Sequence, residues 1–154
     1  MSCSPEPVRP TTSVCRPLRS RRHGCPSEHR PRLTAHVSTR TRDAIVSFGD
    51  FASGPSSDEK NARRLALLRK LAASVGRVRM LGSAATDLAW LAAGRLDAVV
   101  IDANRAWDDT AGIAISVAAG ATVTHLDGSA YTLDGPDVLA ATPSVHDCVV
   151  TILE

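Results

Sequence analysis

From residue 44 onward, apolar positions follow two rhythms. AIVSF (44–48), VRML (78–81), LDAVVI (96–101) and VLAAT (138–142) are short continuous apolar runs, the pattern of strands covered on both faces. Between them apolar residues recur at three- and four-residue spacing, which is helical. Ser56 with Glu59 has the spacing of a capping box, and Leu65, Leu68, Ala72 and Val75 mark an inward face until Gly76 ends the run. SAATDLAWLAA (83–93) reads as a helix stopped by Gly94, and DDTAGIAISVAA (108–119) as one stopped by Gly120. A last helix is expected with Thr142 as cap, Pro143 at its first position, and Val145, Cys148, Val149 and Ile152 facing inward. ATVTHLDG and SAYTL read as strands around an Asp127-Gly128 turn. Strands alternating with helices predict an α/β layer architecture, a mixed and largely parallel sheet flanked by helices.

The first 42 residues share none of this periodicity. They hold six of the nine prolines, three of the four cysteines, and nine arginines against two acids. Residues 43–154 carry nine basic against fourteen acidic residues, so the alkaline balance of the whole chain belongs to its start. The division predicts a disordered Arg/Pro-rich tail over 1–42 and a folded, mildly acidic domain over 43–154. An acidic domain without interleaved aromatics argues against a specific nucleic-acid face. No run approaches the roughly 18 apolar residues of a membrane span, and the start has no secretory h-region. The expectation is a cytoplasmic protein. Cys15, His23, Cys25 and His29 match no compact zinc-ligand spacing, and Cys148 reads as a small core residue.

Two predicted helices start in chemically suggestive ways. Gly82-Ser83-Ala84-Ala85 follows a strand, and a helix start offers unpaired N–H groups that can cradle a phosphate or hydroxyl where small side chains allow close approach. Trp107-Asp108-Asp109-Thr110-Ala111-Gly112 sets two carboxylates at a second helix start. One reading makes them caps. The other makes one of them a cap and its neighbour a magnesium ligand, since Mg²⁺ takes oxygen ligands from one or two carboxylates plus substrate phosphate. Spacing leaves both open.

RMLGSAATDLAWLAAGRLDAVV, followed by WDDTAG and AAGATVTHLDGSAYTL, resembles the C-terminal half of the inositol monophosphatase family, whose members are magnesium-dependent phosphomonoesterases, often lithium-sensitive. The resemblance covers residues 43–154 and implies the C-terminal α/β layer of that family's sandwich. It implies that Asp108 is a metal ligand lying near the substrate hydroxyl, and that Gly82, Ser83 and Ala84 line the substrate pocket. A small phosphorylated substrate such as a sugar or polyol phosphate, and Mg²⁺ as cofactor, follow from the same resemblance. Family members are commonly dimers, which makes a homodimer the candidate assembly. Ile101 stands where inositol-specific members carry a substrate-binding glutamate, and AAGA replaces the EAGG that follows the WD motif.

The family's other metal ligands, a glutamate and an Asp-Pro-Ile/Leu-Asp-Gly-Thr stretch, lie upstream of the WD motif, and this chain has no such stretch. A two-metal displacement at phosphorus needs several carboxylates. The expectation is therefore an inactive or weakly active form, or a non-catalytic half that pairs with another chain. The tail has the composition of GC-rich DNA read out of frame, so residues 1–42 are read, as a hypothesis, as a frameshifted or misassigned start. Translating the DNA upstream of codon 43 in all three frames tests it, and no Asp-x-x-Asp-Gly-Thr stretch in any frame would sink it. A nucleotide-binding module, the reading from another class, would call for a GxGxxG or GxxxxGK loop, and neither is present.

Overall fold

A computed structural model describes residues 40–103 and 106–154, with the side chains of Ala106 and Trp107 outside that description. The tail expectation therefore lies almost wholly outside the described residues. Thr41–Asp43 form a short 3-10 turn leading into β1 (Ile45–Phe48), followed by α1 (Ser57–Ser74), β2 (Arg77–Arg79), α2 (Ala84–Ala92), β3 (Ala98–Ile101), α3 (Ala106–Ala118), β4 (Thr122–Thr124), β5 (Val138–Ala141) and α4 (Pro143–Leu153).

The five strands form one sheet in the order β2-β1-β3-β5-β4. β2, β1 and β3 are parallel, while β5 runs antiparallel to β3 and β4 on either side of it. The expected mixed, largely parallel sheet flanked by helices is the observed one.

Strand alternation divides the core between the two faces. Val46, Phe48, Ala98, Val100, Leu139 and Ala141 meet α1 and α4 through Leu71, Val145, Val149 and Leu153. Val99, Ile101, Val138 and Ala140 meet α2 and α3 through Leu88, Leu91 and Ile113. Every residue of β3 and β5 is buried, which is why both read as unbroken apolar runs. Among the described residues no helix is long and apolar enough to cross a membrane.

Several local expectations are corrected. Ser56 adopts a left-handed backbone with φ 62° and makes no side-chain cap bond, because a cap needs the extended geometry that Ser56 lacks. The inward face of α1 is rotated by about one residue: Leu65 is 54 % exposed, Ala72 is exposed, and Arg64 and Leu71 are the buried positions. SAYTL forms no strand beyond one bridge, Thr124 to Ala130. Its backbone is taken up in turns instead, with the His125 N–H donating to Ser129 O and the Gly135 N–H to Thr132 O. Thr142 precedes Pro143 as expected but makes no side-chain cap bond, and α4 buries Val145, His146, Val149 and Leu153. Cys148 is exposed rather than core.

Candidate functional site

The carboxyl ends of the parallel strands β1 and β3 and the first turns of α2 and α3 meet at one edge of the sheet. This is where open α/β sheets place ligand clefts. A cavity of about 340 Å³ there is lined by Gly82, Ser83, Ala84, Ala85, Ile101 and Ala103, with Asp108 and Asp109. The structure thus brings together all four residues singled out in the sequence. Ile101, 7 % exposed, turns an apolar side chain to the position where a glutamate was the alternative.

The turn before α2 owes its shape to Gly82, whose φ of 78° is a left-handed conformation that side chains resist. Ser83 is extended and its Oγ accepts a hydrogen bond from the Thr86 N–H at 3.3 Å. This is the N-cap geometry that Ser56 lacks. With the Thr86 donor taken, the first N–H groups of α2 remain for a ligand, since a helix start leaves its leading donors without intrahelical partners. Ala84 and Ala85 line the cavity with side chains no larger than a methyl.

α3 begins at Ala106, two residues earlier than expected, so Asp108 and Asp109 lie inside its first turn and neither is the cap. Negative charge there is favoured by the helix dipole. The two acids differ in setting. Asp109 is 1 % exposed, whereas Asp108 is exposed and lines both this cavity and the adjoining larger one. The side chain of Trp107, which opens the motif, lies outside the described residues.

The larger cavity, about 880 Å³, is bounded by the loop 49–53 after β1, by α1, and by the end of β3. Its wall is cross-tied by side chains that the sequence reading passed over. Arg64, 7 % exposed, donates to Asp50 O at 2.9 Å and to Asp102 O at 2.8 Å, with Nε 3.4 Å from Asp102 Oδ2. One guanidinium thereby fixes the ends of β1 and β3 together. Asn61 clamps the loop at Ala52, accepting from its N–H at 2.7 Å and donating to its O at 2.9 Å. Arg63 bridges Asp102 at 3.0 Å and Asp137 at 3.2 Å. Burial pushes the Asp102 carboxyl above the usual carboxylate range, while Arg63 and Arg64 pull it back.

Behind the Gly82 turn, burial also raises the Asp87 carboxyl; a 2.7 Å hydrogen bond from Ser47 Oγ opposes the shift and nearby Asp50 adds to it. At the opposite end of β3, Asp97 accepts from the Ile45 N–H at 2.8 Å. Asp97 thus ties strands together, away from the cavities. The Asp127-Gly128 string is a turn, with Asp127 Oδ1 accepting from the Ser129 N–H at 2.9 Å.

A divalent cation needs several oxygen ligands. Among the described residues no group of three or more His, Cys, Asp or Glu could hold a metal ion. The described residues alone therefore do not fit Mg²⁺, and Asp108 is the exposed one of the two carboxylates in the first turn of α3.

Comparison with known proteins adds family context. The inositol monophosphatase family model matches residues 19–154. The chain is 34% identical over 138 residues to the inositol-1-monophosphatase ImpA of Mycolicibacterium smegmatis, covering 90% of this chain and 47% of that protein. It is 35% identical over 111 residues to the probable inositol 1-monophosphatase ImpA of Mycobacterium tuberculosis, covering 72% and 41%. Among solved structures, Mycobacterium tuberculosis SuhB matches with a TM-score of 0.64 at 34% identity, over 79% of this chain and 45% of that one. The native extragenic suppressor protein suhB from Bartonella henselae matches with a TM-score of 0.71 at 28% identity, over 79% and 46%. The chain spans less than half the length of each of these relatives.

Proposed function

The chain belongs to the inositol monophosphatase family, and from that premise we propose that it carries the substrate-facing half of a magnesium-dependent phosphomonoesterase acting on a small sugar or polyol phosphate. The observation that carries this reading is the convergence of the Gly82-Ser83-Ala84 turn and Asp108 on one cavity. In it, the leading N–H groups of α2 bind an oxygen of the substrate, Gly82 and Ala84 let it approach the backbone, and Asp108 contributes one ligand to Mg²⁺. The remaining oxygens come from outside the described residues. Ile101 directs the site away from inositol phosphate, because an apolar side chain cannot accept the hydroxyl proton that a glutamate would. The protein acts in the cytoplasm on this reading, with a homodimer as its candidate assembly.

That no group of three or more His, Cys, Asp or Glu among the described residues could hold a metal ion favours a companion reading, that the 154-residue chain alone is inactive or weakly active and needs a partner polypeptide to complete the metal site. Phosphate release from small phosphomonoesters with Mg²⁺, with and without Li⁺, tests both. The chain alone should stay near the blank. Mixed with the N-terminal half of the Mycolicibacterium smegmatis relative, it should gain Mg²⁺-dependent, Li⁺-sensitive release that Asp108→Asn abolishes. Brisk release by the chain alone would overturn the companion reading, and a mixture that stays silent would overturn the enzyme reading.

A further inference from the structure

The geometry points to an anion subsite on α1, formed by Lys60 and Arg63 in the larger cavity, so that the substrate is a phosphomonoester carrying a second anionic group. The two cations lie three residues apart on one helix and therefore share a face, and both line the cavity that Asp108 also lines.

Arg63 is built for this role. Its Nε is 3.0 Å from Asp102 Oδ1 and its Nη2 is 3.2 Å from Asp137 Oδ2, carboxylates only 9% and 8% exposed, while the Arg63 side chain itself is 59% exposed. The guanidinium is thus oriented from behind by two buried acids. Its Nη1 enters no hydrogen bond or ion pair among the described residues. A fork held on one edge and open on the other presents a fixed donor to an incoming carboxylate or phosphate oxygen. Lys60 is exposed and makes no hydrogen bond or ion pair among the described residues, which leaves its ammonium available to the same anion.

The surrounding wall is rigid where it matters, because Asn61 and Arg64 pin the loop 49–53 onto the same helix. Asp50, Glu59, Asp102 and Asp108 also line the cavity, so its charge is mixed: Lys60 and Arg63 with Glu59 on α1, and Asp50, Asp102 and Asp108 towards the strand ends and the start of α3. A ligand with its reacting phosphate near Asp108 and a second anion towards α1 uses both parts. A volume of about 880 Å³ exceeds what one small phosphate needs and lies within the range of sites for larger ligands.

The substrate class rests on the proposed phosphomonoesterase reading, while the subsite is tested without metal or turnover, so the two can fail separately. The full 154-residue chain, ¹⁵N-labelled, is titrated with inorganic phosphate in the absence of metal, with sodium chloride holding ionic strength constant. The expected result is a saturable shift of the Arg63 Nε–H resonance and of the amides of loop 49–53. Lys60→Ala should weaken binding roughly tenfold, the loss of one charge-assisted hydrogen bond. Arg69→Glu, on an exposed position of α1 that lines neither cavity, should leave it within about twofold. Thermal unfolding checks that each variant is folded. Shifts confined to Gly82–Ala85, an unchanged affinity in Lys60→Ala, or an equal loss in Arg69→Glu would each overturn the subsite.

Discussion

Gly112 lies so close to Leu88 that a Cβ placed at residue 112 would come within 2.7 Å of both Leu88 Cβ and Leu88 Cδ1. Four residues along α3, Ser116 Oγ donates to Leu88 O at 3.1 Å. The small residues after the paired aspartates thus let α3 and α2 approach across Leu88, and this approach holds Asp108 beside the Gly82 turn.

Gly112→Ala is therefore expected to destabilise the protein by about 1–3 kcal/mol through overpacking, although alanine would favour an isolated helix by up to about 1 kcal/mol. The sign separates the two effects. Urea denaturation measures it, and adding Leu88→Ala should recover part of the loss attributable to the clash.

Arg64→Ala should cost about 3 kcal/mol, because Asp102 loses one of its two cations and the carbonyls of Asp50 and Asp102 lose a shared donor. Arg64→Lys keeps the charge without the fork and should fall between. Denaturation curves supply the energies, and amide shifts at Gly49 and Asp50 should report a loosened loop.

Asp87 makes a pH prediction of unusual sign for an acid. Its folded carboxyl titrates above the ordinary 3.8, chiefly because it is buried. The protonated form is then favoured by folding, so this contribution to stability is full below the unfolded value and is lost as pH rises through the raised one. Asp87→Asn, which can still accept from Ser47 Oγ, should remove that loss. Denaturation midpoints across mildly acidic to neutral pH should fall less steeply in the variant; parallel curves would count against the assignment.

Cys148 is exposed on α4 and should react with a thiol reagent in the folded protein, as mass spectrometry of the peptide containing it would reveal. Cys148→Ser should change stability by no more than about 0.5 kcal/mol. A protected thiol would place the side chain inward after all.

The sheet was legible because its inner strands are covered on both faces and therefore spell unbroken apolar runs at 98–101 and 138–141. The Gly82 turn and Asp108 were legible because small residues and acids at helix starts stand out against that background. The phase of α1 was not legible. Placing a cation inward makes sense only with Asp50 and Asp102 as partners, which lie 14 and 38 residues away along the chain. SAYTL was misread because its composition suits a strand, while its backbone groups are satisfied by local turns around His125.

β2 borders the sheet with the sequence Arg77-Val78-Arg79, both arginines exposed. A second molecule adding itself strand to strand at that border would press guanidinium against guanidinium, and like charges facing each other across a ladder repel. This margin therefore resists runaway self-association.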